Sequence, residues 1–356
     1  MEFGGTCEPG EAGLDPAGLA AAVELVRARG AVAQLCVVRN GRVAVDLSFG
    51  CEPSALFWIF SASKPFVAIV IHQLVESGRL HLDDAVAAYW PEFGRNGKRE
   101  ITVRHMLRHR SGLSNAGSFI GEARAMTDWA RALRRIEDAK PRWPIETVAY
   151  SPLAFGFVLA EVARRCGGHP IEELVRRGVL DPLGLTDTYL GLPAEQWNRR
   201  VPIKAGGAAG PVVQSVLNRR STRAAVVPAA GISTTARDLA TFYQGLLVGA
   251  LLDPETLAIA VEPSSEGELD RTARAPIRWS QGFQLGGPRW LEGAPTSLGS
   301  LSSPRTFGHN GSNCCIGWAD PDRQIAYAYL TNRVGNPKLD LAHHAAVADK
   351  ILGAAT

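Results

Sequence analysis

A serine and a lysine three residues apart, in Ser61-Ala62-Ser63-Lys64, form the stretch of this chain best suited to chemistry. Residues i and i+3 share a face only where the backbone is helical. The apolar run from Pro65 onward predicts a helix that starts near Ser61 and continues to Glu76, with Gly78 past its end. Such a helix sets the Lys64 amine beside the Ser61 hydroxyl. It also puts Ser61 where free N–H groups and the positive end of the helix dipole gather. A hydroxyl becomes a useful nucleophile once a neighbouring base takes its proton. A lysine in a desolvated cleft is such a base, or holds another group in its reactive form. The tetrapeptide also has a plain reading, with Ser61 as a helix cap and Lys64 as a solvated first-turn residue.

The elements that must position these residues come from a chain of 356 residues, 46% of them hydrophobic, enough for one large or two interlocked domains. The net charge is +3 with both signs interspersed, and no basic tract is interleaved with aromatics. Nucleic-acid binding therefore has no support. The stretch Met1 to Thr6 lacks a basic region followed by an apolar one, and no apolar run reaches about 18 residues. A cytoplasmic protein with no membrane partner is the expectation. Six cysteines are too sparse for a disulfide scaffold, and Cys314-Cys315 read as buried thiols. His105 and His109 are four apart, but nothing nearby completes a metal site, so a structural role is expected. Neither a metal nor a cofactor is anticipated.

Val32 to Val38 and Val43 to Leu47 are β-rich runs joined by Arg39-Asn40-Gly41-Arg42, a strong hairpin signal. A helix is predicted before them, from Pro16 to Arg29. Helices are predicted again at Val103 to His109, Ala123 to Ile136, Pro152 to Cys166, Ile171 to Gly178 and Ala236 to Leu247. Strand signals return at Arg278 to Leu285, Thr306 to Gly308, Cys314 to Ala319 and Ile325 to Thr331, before a last helix from Lys338 to Leu352. Strands thus lie at both ends and helices in the middle. The economical fold is α+β: an antiparallel sheet flanked by helices, built from residues 1–82 and 261–356, with a mainly helical domain, 83–260, inserted. The active site is expected in the cleft between the two.

Three motifs in order, Ser61-x-x-Lys64, Tyr150-Ser151 and Gly308-His309-Asn310-Gly311-Ser312, resemble those of the serine β-lactamase and penicillin-binding-protein superfamily. Leu80 to Asp84, Ile101 to Leu113, Asp181 to Leu185 and Ala230 to Leu239 are similar to further stretches of the same superfamily. The likeness spans about residue 15 to about residue 335. Within the superfamily the chain looks most like the class C β-lactamase-like group, which includes family VIII carboxylesterases and related acyltransferases.

The resemblance implies Ser61 as the nucleophile of an acyl-enzyme, with Lys64 and Tyr150 as a coupled base system whose resting proton belongs to neither by sequence. It implies the backbone N–H groups of Ser61 and Ser312 as oxyanion donors, with Gly311 admitting the substrate. His309 stands where penicillin-recognising relatives carry a lysine, and would bond Tyr150 or the substrate, or be structural. Phe57, Trp58, Phe60, Trp290 and Trp318 line an acyl pocket or pack the core.

Two departures narrow the chemistry. Pro152 replaces the asparagine that β-lactamases carry two residues after the tyrosine, and it has neither a side-chain amide nor an N–H. Ser151 as N-cap with Pro152 at the first helical position accounts for it locally. His309-Asn310-Gly311 replaces Lys-Thr-Gly, and a neutral imidazole is a weaker partner for a β-lactam carboxylate. Together they favour a serine acyl hydrolase acting on a small-molecule ester, or a biosynthetic transacylase that passes the acyl group to an amine or alcohol. A β-lactamase or DD-peptidase, or a binding protein without turnover, is the weaker reading.

Overall fold

Asn40 and Gly41 both take positive φ, 52° and 76°, and close the first hairpin of a computed structural model that describes residues 5–114, 126–287 and 296–355. A two-residue loop of this kind matches the right-handed twist of the strands it joins. The main-sheet strands are β1 (Ala33–Arg39), β2 (Arg42–Phe49), β3 (Gln284–Leu285), β4 (Phe307–Gly311), β5 (Cys315–Asp320) and β6 (Ile325–Thr331). Every pairing is antiparallel, in the order β2-β1-β6-β5-β4-β3. The sheet is therefore assembled from both ends of the chain.

Helices that bear on the site are α1 (Pro16–Ala28), α2 (Lys64–Glu76), α3 (Val103–Leu107), α4 (Ala154–Gly167), α5 (Ala236–Leu247) and α6 (Pro337–Gly353). Alternation along the central strand β1 decides what lies on each face. Leu35 and Val37 join a core with Val26 of α1 and Val347 and Ile351 of α6. Cys36 and Val38 face a larger core that holds α2 and α5. Both faces are covered, so Leu35 to Val38 of β1 read as a continuous apolar run. Nearly all of α2 is buried, and Phe66 on it stacks on Phe242 of α5 at 4.1 Å between ring centroids.

Several expectations shift. The α-helix does not begin at Ser61: a 3₁₀ turn, Phe60–Ser63, comes first, and α2 starts at Lys64. Tertiary bonds hold this turn, since the Ser63 hydroxyl donates to Phe60 O (2.6 Å) and accepts from Ile232 N (3.1 Å). The middle of the chain, expected to be mainly helical, also contributes two strands to a small sheet. Tyr189–Leu190 and Phe57–Trp58 flank Ile232–Thr234 in a small antiparallel sheet, each strand too short to show a sequence period. The strand predicted from Arg278 shrinks to β3, because Ser280 N bonds back to Phe283 O and turns the chain. Of the helix predicted from Ala123, residues up to 125 lie outside the described residues, and the helix found is Trp129–Asp138. No described helix is long and apolar enough to cross a membrane.

The Phe66–Phe242 stack ties the helix that carries Lys64 to the sheet layer. Phe66→Ala is expected to lower unfolding stability by about 3–5 kcal/mol, read by urea denaturation.

Candidate active site

Phe60, just before the candidate nucleophile, holds a positive φ of 48°, an uncommon conformation for an aromatic residue. It swings the chain from the Phe57–Trp58 strand into the 3₁₀ turn. Residues i and i+3 eclipse in such a turn, which brings Lys64 Nζ to 3.3 Å from Ser61 Oγ. Tyr150, 89 positions along the chain, donates its hydroxyl to the same Oγ at 2.7 Å. The three residues that sequence reading selected thus converge on one oxygen.

Lys64 is fully buried. Its nitrogen lies 2.8 Å from Pro152 O and 3.4 Å from Ala229 O, and no carboxylate pairs with it among the described residues. Burial holds its pKa well below the usual lysine range. A neutral amine has two N–H bonds and one lone pair. The two carbonyls match the N–H bonds, which leaves the lone pair for the Ser61 proton. Pro152, which lacks the amide of the expected asparagine, reaches the lysine through its backbone carbonyl. The predicted cap is displaced: α4 starts at Ala154, and the Ser151 hydroxyl accepts from Phe155 N at 3.1 Å.

Burial also raises the Tyr150 phenol above its ordinary range; the Ser61 hydrogen bond acts against this and the Asp270 charge adds to it. Lys64 and Tyr150 are therefore pushed toward their uncharged forms, amine and phenol.

Strand β4 passes directly over the Ser61 turn. A side chain at Gly311 would overlap Ile59 O and press on Ala62 N, so only glycine fits. Ser312 and Asn313 follow with φ of 48° and 53°. Asn310 fixes this tight turn, accepting from Asn313 N at 2.9 Å and bonding the Asn313 side chain. His309 does not bond Tyr150: their ring centroids are 6.4 Å apart, and Nδ1 lies 2.8 Å from Asn310 O. Its Nε2 is buried without a partner. Burial pushes the His309 pKa down to about 3, so the ring is neutral.

Sequence reading missed three residues around Tyr150. The Trp279 indole lies parallel to the phenol, 5.2 Å away and tilted by 5°. His109 meets both rings edge-on, at 4.8 Å and 4.6 Å, and its Nδ1 accepts from Ser151 N. Buried Asp270 accepts from Tyr150 N. His109 belongs to the superfamily-like stretch 101–113, the one signal that pointed toward it. Phe57, Trp58 and Phe60 are buried in the same core as α2, with Trp58 stacked on Phe60 at 4.9 Å. Trp318 instead stacks on Tyr327 in the core behind the sheet, and Trp290 lies outside the described residues. Cys314 and Cys315 are buried free thiols.

The chain has six lysines, so selective labelling resolves them. Titration of the lysine side-chain carbons by NMR, with Lys64→Arg for assignment, is expected to show one amine that loses its proton well below the others.

The family model described as Beta-lactamase matches residues 20–351. Esterase/beta-lactamase LipL of Mycobacterium tuberculosis is 29% identical over 351 residues, covering 87% of this chain and 79% of that protein. Among solved structures, EstA from Arthrobacter nitroguajacolicus Rue61a superposes with a TM-score of 0.81 at 25% identity, covering the whole of both chains. A penicillin-binding-protein homologue from Caulobacter crescentus gives the same TM-score and identity over 99% of this chain and 100% of that one. With a matched segment that runs through the Ser61 turn, Tyr150 and β4, the chain belongs to the beta-lactamase family of serine hydrolases.

Proposed function

We propose that this protein hydrolyses small-molecule carboxylic esters through an acyl-enzyme on Ser61. The observation that carries the proposal is the placing of Ser61 Oγ between an amine at 3.3 Å and a phenol at 2.7 Å, with the other donors of the amine already taken by carbonyls. The substrate lies in the cleft between the sheet part, 1–82 and 261–356, and the helical part, 83–260. The first supplies Ser61, Lys64 and Ser312, and the second supplies Tyr150.

Lys64 takes the Ser61 proton as Oγ bonds to the acyl carbon. The N–H groups of Ser61 and Ser312 receive the developing oxyanion, and strand β4 is held against the turn to keep them in place. The carbon–oxygen bond to the alcohol then breaks, and Tyr150 gives its proton to the departing oxygen. Lys64, now an ammonium, returns a proton to the phenolate. Water repeats the sequence on the acyl-enzyme and releases the acid.

Two features argue for an ordinary ester over a β-lactam. The neutral His309 offers no cation to a substrate carboxylate, and Pro152 offers no side-chain amide to an acylamino group. LipL is named as both esterase and beta-lactamase, so that likeness supports serine acyl-hydrolase chemistry in general, and the choice of ester rests on the two residues.

The test is intact-protein mass after mixing with an activated short-chain ester. Wild type is expected to gain one acyl group and Ser61→Ala none, with ester turnover reduced about 10⁴-fold or more. Turnover that survives Ser61→Ala overturns the assignment. An adduct that clears in water marks a hydrolase. One that persists until an amine or alcohol is added makes the protein a transacylase through the same serine.

A further inference from the structure

Asp270 is fully buried, and its side chain meets donors only. One oxygen accepts from Thr272 N and Ala273 N, both at 2.8 Å. The other accepts from Trp279 Nε1 at 2.9 Å. Tyr150 N points between them, at 3.1 Å and 3.0 Å. A group ringed by four N–H donors fits as the acceptor-only carboxylate. One side chain therefore grips both the Tyr150 backbone and the tryptophan against which the Tyr150 ring lies flat.

We propose that Asp270 is a positioning residue: with Trp279 it clamps the backbone and ring of Tyr150 so that the phenol stays aimed at Ser61 Oγ as a proton donor. The inference rests on the Ser61 acyl-enzyme reading. Two physical effects support it. A tyrosine has a free torsion about its Cα–Cβ bond, and a flat partner fixed by its own hydrogen bond removes that freedom. Burial disfavours the phenolate, and the Asp270 charge held at the Tyr150 backbone adds to this, which keeps the proton on Tyr150 until the leaving group needs it. Other titratable groups around the phenol come from different elements: Lys64 from α2, His109 after α3, and His309 from β4. Burial makes all three favour their neutral forms.

A misplaced or ionised Tyr150 harms substrates unequally. An alkyl ester leaves as a basic alkoxide that must be protonated as the bond breaks, whereas a nitrophenolate departs unaided. A proton donor positioned for this step is worth about 10²–10⁴-fold. General damage to the fold slows both esters alike.

The experiment measures kcat/KM for an alkyl ester and for its nitrophenyl counterpart in wild type, Asp270→Asn, Trp279→Phe and Tyr150→Phe. Asp270→Asn is expected to lower the alkyl-to-nitrophenyl ratio at least about tenfold, in the direction of Tyr150→Phe. Trp279→Phe keeps the stacking face but loses the bond to Asp270. It is expected to lower the ratio by less, and it carries the test if Asp270→Asn does not fold. A second readout needs no turnover. The Tyr150 ring protons, identified by their loss in Tyr150→Phe, are expected to carry the ring-current shift of the indole and to move toward free-tyrosine values in both variants. Equal losses on both esters, or ring signals that stay in place, overturn the proposal. Absence of any acyl adduct on wild-type Ser61 instead overturns the acyl-enzyme reading, and the ring signals then decide the clamp on their own.

Discussion

A buried amine without a counter-ion is the constraint on which this site depends. Charged Lys64 would be costly in its setting, since burial alone drives its pKa down and no acid lies against it among the described residues. The neutral form fits, with two N–H bonds for Pro152 O and Ala229 O and a lone pair for Ser61. Each carbonyl is set by a different element. Pro152 precedes α4, and Ala229 lies on the loop that leads into the Ile232–Thr234 strand. That loop in turn packs on Gly156 of α4, where a side chain would overlap the Ala229 backbone. Two helices and a small sheet must be in register before the amine can be reactive.

Phe60, His109, Ser312 and Asn313 all hold positive φ, and each lies in or beside the site. Single residues pushed into the left-handed region persist when their surroundings over-determine them. At Phe60 the surroundings are the Phe57–Trp58 strand on one side and the Ser63–Ile232 bond on the other. At Ser312 they are the Asn310–Asn313 bonds and the contact of Gly311 with the Ser61 turn. Both proposed oxyanion donors therefore sit on stiff turns.

How far the sequence could be read depended on the range of the signal. The Asn40-Gly41 hairpin, strands β1, β5 and β6, and helices α1, α5 and α6 were legible, because turn residues and apolar runs act within a few positions. Ser61, Lys64, Tyr150 and Gly311 were singled out together because their motifs resemble those of one superfamily, and the first three meet at one oxygen. The start of α2 was not, since the Ser63–Ile232 bond that decides it spans 169 positions. Asp270 and Trp279 were invisible for a similar reason: their meaning is a contact with Tyr150 across 120 residues or more, made by a loop with no period. The described aromatics all pack in the core, Phe57, Trp58 and Phe60 in the cluster on one face of the sheet and Trp318 in the cluster on the other.

The most direct measurement is a crystal structure of the protein after reaction with an alkyl fluorophosphonate, whose tetrahedral phosphorus mimics the acylation intermediate. Ser61 Oγ is expected to be bonded covalently to phosphorus. The phosphonyl oxygen is expected within about 2.7–3.1 Å of both the Ser61 and Ser312 N–H groups, with the Tyr150 hydroxyl facing the leaving-group position. Phosphonylation of any other residue, or a phosphonyl oxygen turned away from Ser312, would contradict this arrangement.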